Sequence, residues 1–386
     1  MTTRKPKLLL VSARWGHLGG HSGLAPLGAA LAAHFDVVRT TPTTADKLKV
    51  GLRQIVRVAR ERLLGAPKQG GWSPFYNRNG ALLEVAARRM LRAKAYDVVL
   101  FEALEDHFDA FADARQWLPR TTRIAGVSHQ PPAWWRVAGV DKNVFAAVDT
   151  VVALSQEACG FLRDELGHAD VHFLPHGVDA AFFGAPGEGA QAHTKPVTDV
   201  LFCGQWLRDF RVLRETVETL AAQGEADRFR FHLVVPKFAR NFEQHYHLAR
   251  HANVRWYSGL SDEALRGLYR AADLMFLPLI DATANNSVLE AMAAGLPLVV
   301  SRVGGVPDYV GADGAFFIEQ ETGEHAAAVL KRAAADADGR RLNAQRAQAR
   351  ALQLFPWDVV ATDMAGLMRA DVATARPAPS LTVVGT

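Results

Sequence analysis

The sequence predicts an α/β protein built from two doubly wound domains, and three observations carry that expectation. At 386 residues the chain is long for one hydrophobic core, so two domains fit better than one. Short apolar runs of strand length alternate with helical stretches, the pattern of parallel sheets covered by helices on both faces. Several of those runs end in glycine-rich or polar loops, where doubly wound sheets bind their ligands. A Gly/Ala/Pro-rich polar stretch, Gly184–Pro196, is the best linker in the chain and marks the domain boundary.

Composition narrows the class. With 49% apolar and 22% charged residues the chain is an ordinary globular one. No run approaches the roughly eighteen apolar residues of a membrane span. The basic-then-apolar start up to Arg14 has too short an apolar part for a signal peptide, and reads as a first strand. Cys159 and Cys203 lack C-x-x-C spacing and are expected as reduced core residues of a cytoplasmic protein.

Taken in order, Lys7–Ala13 is a strand that runs into a glycine loop containing Gly19, Gly20 and His21. A helix over Leu24–Ala33 and a strand at Phe35–Thr40 follow. The glycines do not fit G-x-G-x-x-G. They either admit a ligand to the backbone or simply turn the chain. His17 and His21 are four apart but in a loop rather than on a helix, a poor metal pair.

Asp46–Lys94 carries twelve Lys and Arg residues against Asp46, Glu61 and Glu84. Leu48, Leu52, Ile55, Val56 and Leu63 recur there near helical spacing between arginines. A basic amphipathic helix of this kind suits an anionic membrane or acceptor, or it is a solvated basic face over a core-facing stripe. No nucleic-acid motif accompanies it.

Asp97–Glu102 and Arg123–Ser128 are the next strands, with a helix around Phe108–Trp117 between them. His129 follows the second, at a strand end that faces a ligand crevice. The second domain opens with the strand Asp199–Cys203 and then Gly204 and Arg208, an arginine placed to hold phosphate oxygens. Phe231–Val235 ends near Lys237, a second candidate cation. His245, His247 and His251 are expected on a helix surface. The D-x-D at Asp336-Ala337-Asp338 follows an Ala-rich helix, so it reads as a helix-end turn rather than a metal site.

Asp281–Pro307 is the stretch that organises the chain. It reads as loop, helix, turn, strand and Gly-rich loop. Asn285, Asn286 and Ser287 are N-cap residues, Gly295 suits the C′ position, and Leu298–Val300 is a short buried strand. A helix N-terminus opening beside a strand end is an anion site, because free N–H groups and the helix dipole point at whatever sits there. Glu290 has two readings. Ser287-x-x-Glu290 forms a capping box, or Glu290 is a carboxylate that accepts ribose hydroxyls.

The span Asn253–Val310 resembles the nucleotide-sugar half of retaining GT-B glycosyltransferases, family-4 type (glycosyl transferases group 1). Its motifs come in the family's order: N-V-x-W-x-G, then Glu263-x-Leu265-x-x-x-Tyr269-x-x-Ala272-Asp273, an apolar strand ending in Pro, an acidic loop, L-E-A-M-A-x-G-x-P-x-V, and G-G-V-P. The resemblance implies a GT-B fold, two doubly wound Rossmann-like domains facing a cleft. Residues 1–183 would bind the acceptor and 184–197 would be the linker. Residues 198–355 would bind the donor, 356–373 would be a helix crossing back, and 374–386 a tail.

By the same resemblance His129 and Glu290 are the catalytic residues. Gly19, Gly20, Gly204, Arg208, Lys237, Asp281, Asn285, Asn286, Ser287 and Glu290 form the donor site. The implied reaction is transfer from a nucleotide-diphosphate sugar with retention of configuration. It uses no metal or cofactor, and its acceptor is a glycan, a lipid-linked molecule or a small molecule. From the basic segment itself, and not from the resemblance, partners would include an anionic membrane met peripherally through 47–94 at the inner face of the cell membrane, and no nucleic acid. Two positions depart from the family. Ala282 stands where the first of two glutamates is usual, and Gln205 replaces an arginine. They leave room for a nucleotide-sugar 2-epimerase or a non-catalytic nucleotide-sugar binder.

Overall fold

Among the residues described by the structure, a computed structural model covering 4–13, 19–63, 73–139, 142–184, 196–240 and 243–369, twelve strands form two six-stranded sheets. Most of the expected linker, the start of the glycine loop and the expected tail lie outside the described residues. The first sheet holds β1 (Lys7–Val11), β2 (Asp36–Arg39), β3 (Val98–Phe101), β4 (Arg123–Ser128), β5 (Thr150–Ala153) and β6 (Val171–Phe173), in the order β2-β1-β3-β4-β5-β6. The second holds β7 (Thr198–Cys203), β8 (Phe229–Val234), β9 (Val254–Tyr257), β10 (Leu274–Leu277), β11 (Leu298–Ser301) and β12 (Phe316–Ile318), in the order β12-β11-β10-β7-β8-β9.

Every pairing in both sheets is parallel. The central strands are largely apolar, as strands covered by helices on both faces must be. The sequences VVLF, LMFL and LVVS are buried at each position. Edge strands β2 and β9 are exposed in part.

The chain divides by contacts into two compact units. The first takes the described residues of Met1–Arg14, Gly28–Leu174 and Ala361–Thr386, and the second those of Trp15–Leu27 and Pro175–Val360. Strand order reverses between β1 and β3 in the first unit and between β7 and β10 in the second. Those are the crevices where a doubly wound sheet takes its ligand. Cys159 and Cys203 are free and buried, one in each unit.

Three expected elements differ. The helix expected over Leu24–Ala33 is the shorter Leu27–Leu31. Pro26 keeps the residue before it out of helical backbone, and the exit tightens into i→i+3 bonds from Ala32 and Ala33. The Phe108–Trp117 region is a 3-10 helix, Ala110–Gln116. The buried Glu84 carboxylate fixes its entry, accepting from the amides of Asp109 at 2.7 Å, Ala110 at 3.0 Å and Phe111 at 3.0 Å. His245 is not on a surface: it is buried against Phe210, ring centroids 4.2 Å apart.

Asp336 ends the Gly323–Ala335 helix and caps the next, its carboxylate accepting from the Gly339 amide at 2.8 Å, so the D-x-D is a helix junction. Among the described residues no helix is long and apolar enough to cross a membrane.

Candidate active site

The second unit builds its site at the carboxyl ends of β7 and β10. After Cys203 the chain turns at Gly204 with φ +99°, and a Cβ there would stand 2.4 Å from Arg208 Nη2. The positive φ calls for glycine, and a Cβ would also displace the guanidinium. Leu207 follows at φ 55°, the one non-glycine residue with positive φ among those described. Strain of that kind persists only where neighbours impose it. Here the Ile280 amide donates to the Leu207 carbonyl at 3.0 Å, and the Asp209 amide to that of Pro278 at 2.9 Å. The loop after β7 is thereby laced to the loop after β10, and the turn sends Arg208 inward.

Arg208 is half-buried. It donates from Nε to the Cys203 carbonyl at 3.0 Å, from Nη1 to the Trp206 carbonyl at 2.8 Å, and from Nη2 to Asn285 Oδ1 and Ser287 Oγ, both at 3.1 Å. Four of its five N–H groups are so engaged, which leaves one on Nη1 for a ligand oxygen. Burial lowers its pKa from the ordinary value, though no arginine loses its charge in water.

The helix over Asn286–Ala294 points its N-terminus at this arginine. Its N-cap is Asn285, whose Oδ1 accepts from the amides of Ser287 at 3.1 Å and Val288 at 3.3 Å. Ser287 Oγ donates to the Cys203 carbonyl at 3.2 Å. Gly295 closes the helix at φ 69°.

Because Asn285 supplies the cap, the expected capping box is not formed. Glu290 turns elsewhere, and its Oε2 accepts from the Tyr269 hydroxyl at 2.7 Å. Both residues are buried. Burial raises the Glu290 carboxyl to about 7, against the opposing pull of Tyr269, Ser22 and Arg208. Burial also holds the Tyr269 phenol well above its usual range. The capping-box reading of Glu290 is therefore not realised, and its carboxyl is a buried group raised by desolvation and bonded to Tyr269.

Glu290 and Asn286 line a narrow crevice with His21, Gly23, Gly177, Val178 and Leu289. His21 Nδ1 pairs with Asp179 Oδ2 at 2.7 Å, and its ring stacks on Phe182 at 3.8 Å. The glycine loop is fastened by Asp262. The Gly20 amide donates to its Oδ2 at 2.8 Å, and a Cβ on Gly19 would fall 1.5 Å from its Oδ1.

Asp281 is half-buried beside Gly304, and its Oδ1 accepts from the Ala282 amide at 2.7 Å. Burial raises its pKa. The Ala282 carbonyl accepts from Gly305 at 2.7 Å, which zips the acidic loop to the G-G loop. The structure therefore brings Gly204, Arg208, Asn285, Asn286, Ser287 and Glu290 together. Asp281 lies in the adjoining loop, and Gly19 and Gly20 lie on Asp262. Lys237 is exposed just past the end of β8 and makes none of the bonds described for Arg208.

The first unit has its own strand-end group. His129 is half-buried after β4, its Nε2 2.8 Å from the Glu102 carbonyl. Glu105, fully buried, accepts through Oε1 from Ser128 Oγ at 2.9 Å and from the amides of His129 at 2.7 Å and Gln130 at 3.0 Å. Burial raises the Glu102 carboxyl to about 8 and lowers buried His107 to about 4.

Residues 198–336 match the family model of glycosyl transferases group 1. Over that span, rather more than a third of the chain, the sequence is similar to glycosyl transferases group 1. A similar curated protein is MMP alpha-(1->4)-mannosyltransferase of Mycolicibacterium hassiacum, 26% identical over 62% of this chain and 58% of its own. Another is D-inositol 3-phosphate glycosyltransferase of Streptomyces avermitilis, 32% identical over 32% of this chain and 25% of its own. The chain thus spans little more than half the length of one curated relative and a quarter of the other. Among solved structures, sucrose-phosphate synthase from Thermosynechococcus elongatus superposes with a TM-score of 0.69 at 18% identity, covering 95% of this chain and 98% of that one. The chain has the GT-B fold, two doubly wound Rossmann-like domains.

Residue patterns alone do not single out the partners that set this site. Tyr269 could have been found, since it is the tyrosine of the motif that precedes β10. Nothing local marks the bonds of Asp262 to Gly20, Glu105 to Ser128 or Asp179 to His21, although Asp179 is also a local N-cap, accepting from the Phe182 amide.

Proposed function

We propose that the chain transfers a glycosyl group from a nucleotide-diphosphate sugar to an acceptor hydroxyl, with retention of configuration and without a metal. The observation that carries this reading is the release of Glu290 from capping, at a helix N-terminus that also holds Arg208. Ionised Glu290 accepts the two ribose hydroxyls. The N–H groups of the Asn286–Ala294 helix, its dipole and the Arg208 charge face the diphosphate, and negative charge grows there as the sugar departs. Positive charge already in place at the leaving group is what makes a metal dispensable in this scheme.

In this reading Asn286 and Asp281 stand near the sugar, and the loops around Gly204 and Gly304 let ligand approach backbone. His129 receives the donor-sugar contact from the resemblance, and Gly19, Gly20 and Lys237 are second-rank donor contacts on the same basis. The curated relatives act on sugars by name. This reading extends that to a glycan, lipid-linked or small-molecule acceptor. It also takes the protein to be cytoplasmic, with peripheral contact at the inner face of the cell membrane.

A thermal-shift screen of UDP, GDP, ADP and TDP tests it. A diphosphate at about a hundred times its dissociation constant adds about 2.7 kcal/mol. One of the four is expected to stabilise the wild type and to lose most of that effect on Glu290→Gln. If none stabilises the wild type, the transferase reading falls. If one binds but no sugar moves from its nucleotide-sugar to any acceptor extract, the chain is a nucleotide-sugar binder.

A further inference from the structure

The helix over Thr44–Leu63 turns an apolar stripe to the outside. Leu48 is 70% exposed, Leu52 63%, Ile55 67% and Val56 50%. Their spacing of i, i+4, i+7 and i+8 puts all four on one face. The inner side is fixed by different residues. Val50 and Asp46 are buried, and the Asp46 carboxylate accepts from the Thr43 amide and hydroxyl, both at 2.8 Å, and from Arg89 Nε at 3.1 Å. The helix is therefore docked by one face and shows water four large aliphatic side chains on the opposite one. Scattered exposed apolar residues need no explanation, but a contiguous stripe of this kind does.

Charge identifies what covers it. Exposed Lys47 and Lys49 flank Leu48 at about 100° on either side, and exposed Arg53 follows. The sequence of the helix adds Arg57, Arg60 and Arg62 against Glu61 and Asp46, and Asp46 is paired with Arg89. A second copy of this chain would bring the same positive charge to the stripe and be repelled. A nucleic acid would leave the aliphatic stripe in water.

We propose that the Thr44–Leu63 helix is an interfacial helix that lies on an anionic lipid surface. Leu48, Leu52, Ile55 and Val56 enter the acyl boundary, and the flanking lysines and arginines sit on the headgroups. This inference stands whether or not the chain transfers a sugar.

The test is sedimentation of the full chain with vesicles of phosphatidylcholine, alone or with about a third phosphatidylglycerol. Binding is expected on the anionic vesicles only, weakening with salt. Lys47→Glu/Arg53→Glu should lower partitioning by about five-fold or more for each charge. Leu52→Ser/Ile55→Ser should lower it by about ten-fold or more for each side chain. As a readout independent of those variants' folding, a fluorophore on Leu52→Cys should shift to the blue on anionic vesicles. Absence of sedimentation at low salt overturns the proposal. So does equal binding by the serine variant. A dimer in sedimentation equilibrium that dissociates on the serine substitutions also overturns it, because the face then belongs to a second copy.

Discussion

Replacing Glu290 with glutamine isolates the group on which the functional reading turns. The substitution keeps the shape and an acceptor for the Tyr269 hydroxyl but removes the titration. The folded-state carboxyl stands at about 7 against an ordinary 4.5. Its protonated form is therefore the one the fold favours. The stability this contributes is fully present below about pH 4.5, and it is lost as pH rises through 7. A shift of that size corresponds to about 3 kcal/mol. The stability difference between Glu290→Gln and wild type should move in the variant's favour by about that amount between pH 4.5 and pH 8, read by urea denaturation at each pH.

Binding should run the other way. Ribose hydroxyls donate to a carboxylate, so the wild type should bind the diphosphate about ten-fold more weakly one pH unit below 7 than above it. The variant carries the same nucleotide phosphate titration, so the difference between the two calorimetric profiles belongs to Glu290. Identical pH slopes in the stability series would mean that Glu290 is not a buried titrating carboxyl. Identical binding profiles would remove it from the ribose.

Four further substitutions bear on the scaffolds of the two strand-end groups. Arg208→Lys loses the fork to Asn285 and Ser287 and should cost about 3 kcal/mol in denaturant melts. Gly204→Ala must hold an alanine at φ +99° and push the guanidinium aside. It should cost about 2 kcal/mol or more and lower diphosphate affinity in the same thermal-shift assay. Glu105→Ala strands the Ser128 hydroxyl and the amides of His129 and Gln130, at about 1–3 kcal/mol per group left unsatisfied, whereas Glu105→Gln keeps an acceptor and should recover most of the loss. Urea midpoints of the two variants check that order.

The strands and their ends were legible because both depend on local pattern. Apolar runs such as LMFL and LVVS are buried on both faces, and the capping asparagine, Gly295 and the G-G loop punctuate the helix and strand between them. The role of Glu290 was open for a physical reason. Ser287-x-x-Glu290 satisfies the local rule for a capping box, and only tertiary structure shows that Asn285 has taken those amides and that Tyr269, twenty-one residues upstream, has taken the carboxylate. The Thr44–Leu63 helix shows the same limit. Periodicity marks an apolar stripe but not the side of the helix that meets the fold, which here is set by Asp46 and its bond to Arg89.

The switch point of each sheet is also its most distant pairing. Leu8 pairs with Val98 across 90 residues at the β1–β3 junction, and Leu201 with Met275 across 74 at β7–β10. Neighbouring strands elsewhere pair over shorter spans, such as Val98 with Arg123 and Met275 with Leu298. Closing the longer loop costs about 1 kcal/mol more in chain entropy. The flanking ladders therefore form before the junction that joins them. Refolding monitored at the loop around Arg208 should lag behind refolding monitored at Trp256 on the edge strand, so the ligand-binding ends are the last part of each sheet to assemble.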